Sequence, residues 1–389
     1  MLVTRQPVLR RFWYALFQMS EIENGPKPFR LLGEDIVIWK TADGTPAAVR
    51  DRCCHRTAKL SKGWVDKGNI VCGYHGWTYD CTGTCVRIPQ FEKGERIPTA
   101  AKVPSYHCAE KYGYVWVALE DPLRPIPDFP EDGKEGYRRI FQFYETWKTS
   151  PVRFMENSFD NSHFSFVHGA TFGDPDRPAP QGYEIELTDY GFQGASSVPI
   201  TNPPLAHQVV GTDAPNVTRH LVNRYFLPFC RRFGASYDSG IDHIIYNCAT
   251  PIDDDHIVLV QWLYRNDTEE QCPEEVLIDW DGKVTLEDKD ILEATDPDAC
   301  IDVRRRQEVH MPSDKPGLVI RRLLLELLTE HGETEVHRVP FPIQVDRGIS
   351  EAMATAAAAN QNADVGLSNG AASSAVMSAA VPTGTEAKV

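Results

Sequence analysis

Two groups of histidines, cysteines and carboxylates have the types and spacing of metal ligands. In the first, Cys53-x-His55 is followed, after sixteen residues, by Cys72-x-x-His75. Each half offers one thiolate and one imidazole, whereas a zinc finger normally groups its cysteines in one half and its histidines in the other. Mixed halves suit two metals, with each of two hairpin loops giving one ligand to each. Adjacent Cys54 and His55 are poorly placed to reach two different metals, so Cys53 is the candidate ligand. In the second group, RFMENSFDNSHFSFVHGATFG, stand Asn157, Asp160, His163 and His168. Two histidines with one carboxylate form a facial metal site that leaves positions open for dioxygen and a substrate.

Positioning the second group poses a problem of helix geometry. On a helix Asp160 and His163 share a face, but His163 and His168 diverge by about 140°. Convergence on one metal therefore requires the helix to end between them, with Gly169 as a suitable exit. The carboxylate must come from elsewhere, and VTLEDKDILEATDPD offers Glu287, Asp288, Asp290 and Glu293. On a helix Asp288 shares the inward stripe of Ile291 and Leu292, while Asp290 and Glu293 project elsewhere. The competing reading of Asp288 is a capping box begun by Thr285. Asp160 has the placement of a carboxylate that orients a histidine ring, and Asn157 either neighbours the metal or bonds the helix end.

The mixed Cys/His halves match a Rieske 2Fe-2S cluster, in which two cysteines hold one iron and two histidines the other. With CxHR, CxYHGWxYD and TGTCVRIP, the chain resembles the Rieske domain of ring-hydroxylating oxygenases over roughly residues 10–120. It departs at Cys54, where that family usually has proline. D-x2-H-x4-H, with Asn157 ahead of it, resembles the catalytic domain of the same family, and EDxxxxEA matches its third-ligand helix. The resemblance implies a mononuclear iron(II) held by His163, His168 and Asp288, beside a cluster held by Cys53, His55, Cys72 and His75. It implies that Asp160 links His163 to His75 of a neighbouring subunit, in a homotrimer. A ferredoxin or reductase, fed ultimately by NAD(P)H, would supply electrons for dioxygen to react with a small organic substrate.

RQEVHMPSDKPGLVIRRLLLELL resembles the C-terminal helix of monooxygenase-type members, including oxidative demethylases and saxitoxin-pathway hydroxylases. It favours hydroxylation or demethylation over cis-dihydroxylation of an arene. The competitors from other classes are a Rieske electron carrier without oxygenase activity and a zinc-stapled binding module.

Elsewhere the residues read as framework. Trp77, Tyr79, Phe154, Phe159, Phe164 and Phe166 are expected in the core, Cys81 and Cys85 as half-buried thiols around a turn at Gly83, and His310 in a surface or capping role. Arg52, Arg56, Lys59, Lys62 and Lys67, against Asp51 and Asp66, make a locally basic island suited either to an acidic electron donor or to solvent.

Short β segments separated by turn residues occupy residues 30 to 120. The Pro-rich EDPLRPIPDFPEDG then reads as a domain boundary. Beyond it come clustered strands flanked by helices, with helical segments expected over residues 151–168, 286–293 and 316–330. The fold class is α+β: an all-β Rieske domain (residues 1–122), an α+β helix-grip catalytic domain with an antiparallel sheet (123–348), and a disordered tail (349–389) too poor in large apolar side chains to repay ordering.

The whole chain has 389 residues and a net charge of −15, which argues against a nucleic-acid partner. No apolar run reaches the ~18 residues of a membrane span, and no secretion signal is recognised. A cytoplasmic location is expected, with the ten cysteines reduced.

Overall fold

The computed structural model describes residues 1–340 apart from 93, 180 and 181. The expected tail, 349–389, lies outside the described residues. Three antiparallel sheets carry the fold. The first has six strands in the order Tyr14–Gln18, Tyr114–Ala118, Ser105–Lys111, Pro46–Arg50, Glu34–Lys40, Lys27–Leu31. The second has four short strands, Trp64–Asp66, Asn69–Val71, Thr78–Tyr79 and Cys85–Arg87. The third has seven, in the order Arg138–Trp147, Ile257–Arg265, Asp242–Pro251, Cys230–Ser236, Asn216–Phe226, Gly191–Thr201, Glu184–Thr188.

Among the described residues five α-helices accompany them: α1 (Pro151–Ser158), α2 (Phe164–Val167), α3 (His207–Val210), α4 (Glu274–Leu292) and α5 (Lys315–Glu330). The class is α+β, with α4 gripped against the seven-stranded sheet. No described helix is long and apolar enough to cross a membrane.

The strand-like runs read from the sequence are strands. All nine residues of Ile257–Arg265 are buried, which explains a mostly apolar run without the polar alternation of a half-exposed strand. The helix expected over 151–168 is instead two helices. Ser150 caps α1 by accepting from Arg153 N, and Pro151 occupies its first turn. The helix stops at Ser158, and Asp160 Oδ1 takes the Ser162 N–H at 2.7 Å, a local bond that replaces the helical ladder. The break therefore precedes His163 rather than following it.

Further along, the helix expected at 286–293 starts much earlier, at Glu274. Thr285 and Asp288 are therefore in its interior and cap nothing. The inward stripe of α4 runs Leu277, Asp281, Val284, Asp288, Leu292, at helical spacing. Ile291, placed on that stripe by the sequence reading, is instead 49% exposed.

The Pro-rich connector is pinned to the catalytic sheet. Phe129 is buried with its ring centroid 3.9 Å from that of Tyr246. Glu131 is buried, accepting from Arg232 Nη2 at 2.7 Å and Tyr246 Oη at 2.6 Å. Asp132 accepts from Tyr264 Oη and Arg139 Nη1. Directly between sheets, Tyr114 Oη donates to Gln261 O, and Leu32 N to Pro251 O. One continuous apolar cluster spans the six- and seven-stranded sheets, including Leu16, Trp116, Tyr246 and Trp262.

Burial alone would raise the Glu131 pKa, but Arg232 and Tyr246 outweigh it and hold the carboxyl below its ordinary value. A depressed folded-state pKa gives stability that is full above the unfolded value and is lost as pH falls through the folded one. Glu131→Gln is therefore expected to cost about 3 kcal/mol at neutral pH, because it leaves Arg232 buried without its partner. Urea unfolding should show this gap closing as the pH drops below the usual glutamate range; a constant gap would refute the ion-pair account.

Candidate functional site

The two loops carrying Cys53–His55 and Cys72–His75 fold alike. In each, the cysteine N–H donates to the carbonyl five residues on, Ala58 or Trp77, at 2.8 Å. Its carbonyl accepts from the N–H four residues on, Thr57 or Gly76. That fourth residue is left-handed in both loops, φ 60° at Thr57 and 71° at Gly76. Glycine adopts this freely, whereas a β-branched threonine there is strained, at a cost of roughly 1–2 kcal/mol.

The loops bring the His55 and His75 rings to a centroid separation of 4.6 Å. Cys53 and Cys72 are buried beneath. Burial, foremost, raises the Cys72 thiol, and adjacent Cys53 adds to it. His55 stacks on Trp77 at 4.6 Å and 5°, and its buried Nδ1 has no protein partner. Desolvation, then His75 and Arg56, lowers the His55 pKa, which favours the neutral imidazole that binds metal. Two sulfurs below, two imidazoles above and an orphaned ring nitrogen fit a Rieske cluster.

Cys54 is exposed. Its Sγ lies 3.3 Å from Tyr79 Oη, which also sits 3.0 Å from Cys53 Sγ. Tyr79 is fully buried, as expected of a core residue, yet its hydroxyl meets both sulfurs. Cys85 is buried and Cys81 exposed, and Gly83 turns at φ 76°.

About the second group, His163 sits at the start of α2 and His168 at its end. One short helical turn thus separates them, and the chain then folds tightly: His168 O accepts from the N–H groups of Thr171, Phe172 and Gly173. A Cβ at Gly173 would meet Phe164 O at 2.4 Å, so the close approach is made there rather than at Gly169. His163 Nε2 and His168 Nε2 face each other at 3.2 Å, and Asp288 Oδ1 lies 3.4 and 3.5 Å from them. With these edges a point about 2.1 Å from all three exists just off their plane, a normal metal–nitrogen distance.

Neighbouring side chains hold His168 and Asp288 in place. His168 Nδ1 lies 2.9 Å from Glu287 Oε2, which also accepts from Thr171 Oγ1 at 2.7 Å. Asn157 Nδ2 donates to Asp288 Oδ1 at 3.0 Å. Asp160 Oδ2 stands 3.5 Å from His163 Nδ1, an ion-pair distance rather than a close hydrogen bond. Burial alone would lower His163, but Asp160 and Asp288 outweigh it and lift its pKa to about 9. His168 is lowered, by burial first and by its neighbour His163.

Glu287, one of four carboxylates open in the sequence, orients His168; only the pairing across elements distinguishes it from Asp288. Phe166, expected in the core, is 66% exposed. His310 lies 3.8 Å from Asp314, outside the triad. A further buried group, Cys300, Glu335 and His337, also brings ligand-type atoms together. There Glu335 is held by Arg305 Nε and Ile301 N, and His337 Nδ1 by Asp298 Oδ1.

Comparison with known proteins agrees with both centres. The Rieske [2Fe-2S] domain matches residues 12–107, and the vanillate O-demethylase oxygenase C-terminal domain matches residues 147–330. Methylxanthine N1-demethylase NdmA of Pseudomonas putida is 30% identical over 335 residues, covering 84% of this chain and 91% of that protein. Methylxanthine N3-demethylase NdmB of the same organism is 27% identical over 332 residues, covering 82% and 89%. The solved structure of NdmA with caffeine has a TM-score of 0.74 at 28% identity, over 88% of this chain and 99% of that one.

The chain belongs to the Rieske non-haem iron oxygenases, among the oxygenase (alpha) subunits of the monooxygenase and demethylase branch. It is an oxidoreductase that hydroxylates or oxidatively demethylates a small organic molecule, with dioxygen and electrons from a reductase or ferredoxin fed by NAD(P)H. Its cofactors are a 2Fe-2S cluster and a mononuclear iron.

Hydrogen bonds to cluster sulfurs favour the reduced, more negative state. Tyr79→Phe removes the hydroxyl shared by Cys53 and Cys54, so a redox titration is expected to give a lower cluster potential with the cluster retained. An unchanged potential would show that this hydroxyl does not reach a ligating sulfur.

Proposed function

We propose that His163, His168 and Asp288 hold the mononuclear iron, and that Cys53, Cys72, His55 and His75 hold the cluster. The observation that carries this reading is the convergence of His163 Nε2, His168 Nε2 and Asp288 Oδ1 to within 3.5 Å of one another, with Glu287 behind His168 and Asn157 on Asp288. When bound, the two centres supply single-electron transfer and the activation of dioxygen. The chain's residues do the remainder. Glu287 turns His168 so that Nε2 faces the metal position, the usual work of a carboxylate behind a ligating imidazole. Asn157 occupies one lone pair of Asp288 Oδ1 and so fixes the carboxylate's rotation. The pocket wall of Phe164, Phe172 and Phe233 keeps the substrate side dry.

Asp160 is the electron contact in this reading, joining His163 to His75 of a neighbouring subunit in a homotrimer. Its side chain is 31% exposed, on a surface recess that also carries Ile291, Val309 and His310. Val309 is 95% exposed there, and Tyr74, beside His75, is 64% exposed. Apolar side chains left in water beside both candidate centres support a protein contact at each.

The chain is read as a Rieske domain (1–122), a catalytic domain (123–348) and a tail (349–389), working in the cytoplasm. Monooxygenation is favoured over cis-dihydroxylation, because two relatives that span most of the chain are named as demethylases. Release of formaldehyde separates demethylation from hydroxylation.

The site assignment is tested by anaerobic purification, metal analysis and electron paramagnetic resonance after dithionite reduction. His163→Ala is expected to keep the Rieske signal and lose mononuclear iron and oxygenation; sustained turnover would sink the assignment. Asp160→Asn is expected to retain both centres while turnover falls about 10–100-fold. Wild-type turnover in that variant would remove Asp160 from the electron path.

A further inference from the structure

The cavity bounded on one side by His163, His168 and Asp288 has two arginines in its wall, Arg219 and Arg231. They stand on neighbouring antiparallel strands, Asn216–Phe226 and Cys230–Ser236. Neither forms an ion pair among the described residues. Arg219 is 6% exposed and gives Nε to Tyr237 Oη at 3.1 Å, with its guanidinium carbon 4.0 Å from the Phe172 ring centroid. Arg231 lies over the rings of Phe233, at 4.7 Å, and Phe159, at 5.6 Å. Its Nε is sealed from solvent and has no acceptor.

Several other polar groups of that wall belong to one hydrogen-bonded relay. Asn247 Nδ2 donates to Gln261 Oε1, Gln261 Nε2 to Gln142 Oε1, and Gln142 Nε2 to Asp281 Oδ2. Asp281 Oδ1 in turn faces His243 Nε2 at 3.0 Å. The remaining lining carboxylate, Asp288, is turned to the two histidines and takes a hydrogen bond from Asn157 Nδ2. Burying a cation is unfavourable unless a partner compensates it. Among the described residues the chain gives Arg219 one acceptor, Tyr237 Oη, and gives the buried Arg231 Nε none. Burial accordingly pulls Arg231 down to about 10, against the attraction of Tyr183 and Asp288.

We propose that the substrate is an organic carboxylate, held by Arg231 and Arg219 with its apolar body between Phe164, Phe172 and Phe233 and its reacting carbon toward His163, His168 and Asp288. The proposal rests on reading this cavity as the oxygenation site. A guanidinium presents a planar fork that fits a carboxylate bidentately. Methylxanthines have no carboxylate, so in this respect the chain departs from the relatives named for them. The cavity measures about 90 Å³, less than the ~150 Å³ that encloses benzene in an apolar cavity. It therefore suits a compact acid, a single-ring one entering with some side-chain movement.

The test is isothermal titration calorimetry of the full-length, iron-loaded protein under anaerobic conditions. The probes are benzoate, 4-methoxybenzoate and phenylacetate, each paired with its neutral amide, plus caffeine. At least one carboxylate is expected to bind ten-fold or more tighter than its amide and than caffeine, reflecting about one charge-assisted pair lost. Arg231→Met should abolish that preference while leaving the Rieske spectrum unchanged, and Arg231→Lys should restore part of it. Equal binding of acid and amide, no binding by any carboxylate, or an Arg231→Met protein that still selects acids would each overturn the proposal. Should Arg231→Met lose its Rieske spectrum through misfolding, Arg231→Lys and Arg219→Lys decide, and unaltered acid preference in both overturns it.

His163→Ala is titrated in parallel, because binding of the acid does not need the iron. Carboxylate preference there, with no panel member oxygenated by wild type, would leave the anion site standing and remove the oxygenation reading. Oxygenation of caffeine without acid preference would do the reverse.

Discussion

The arrangement on which most of the catalytic half depends is the facing of two imidazoles and a carboxylate within 3.5 Å of one another in a largely buried pocket. Three such groups attract a cation strongly when each presents a chosen atom, and each must be prevented from rotating away. Glu287 behind His168 and Asn157 on Asp288 serve that purpose, and each comes from a helix distant in sequence from the residue it holds. The short turn of α2 then sets the spacing of the histidines. Its geometry depends on Asp160 ending the preceding helix and on Gly173 admitting a carbonyl where a Cβ would not fit.

This polar centre can persist because the surrounding framework is rigid. The Pro-rich connector carries two carboxylates, Glu131 and Asp132, into the catalytic sheet, and its Phe129 enters the aromatic core with Tyr246 and Trp262. Cross-sheet hydrogen bonds such as Tyr114 to Gln261 join the six-stranded sheet to the same core. The cluster loops, by contrast, stand toward solvent, with His55 and His75 partly exposed over buried Cys53 and Cys72. That is the placement an electron port requires: sulfurs shielded, imidazoles reachable.

The pocket's chemistry divides along the same lines. One chain of amides, from Asn247 through Gln261 and Gln142 to Asp281, is self-satisfied and holds its wall in one arrangement. The arginines beside it are left with donors to spend. Selectivity in such a site follows from what is unpaired rather than from what is merely present, since an ill-matched ligand leaves those donors buried without partners.

Much of this was legible in the residues alone. Cys53-x-His55 with Cys72-x-x-His75, the pairing of His163 with His168, the inward turn of Asp288 and the strands at Asp242–Pro251 and Ile257–Arg265 depend on local spacing and apolar pattern, which sequence carries directly. The break of the helix before His163, the long reach of α4, the exposure of Ile291 and Phe166, the contact of Cys54 with Tyr79 and the role of Glu287 were decided by tertiary structure. The reason is physical. Whether a carboxylate binds, orients or caps depends on which groups arrive opposite it, and those come from 116 to 131 residues away along the chain. Local periodicity can say which way a side chain points, but only packing between elements supplies what it meets.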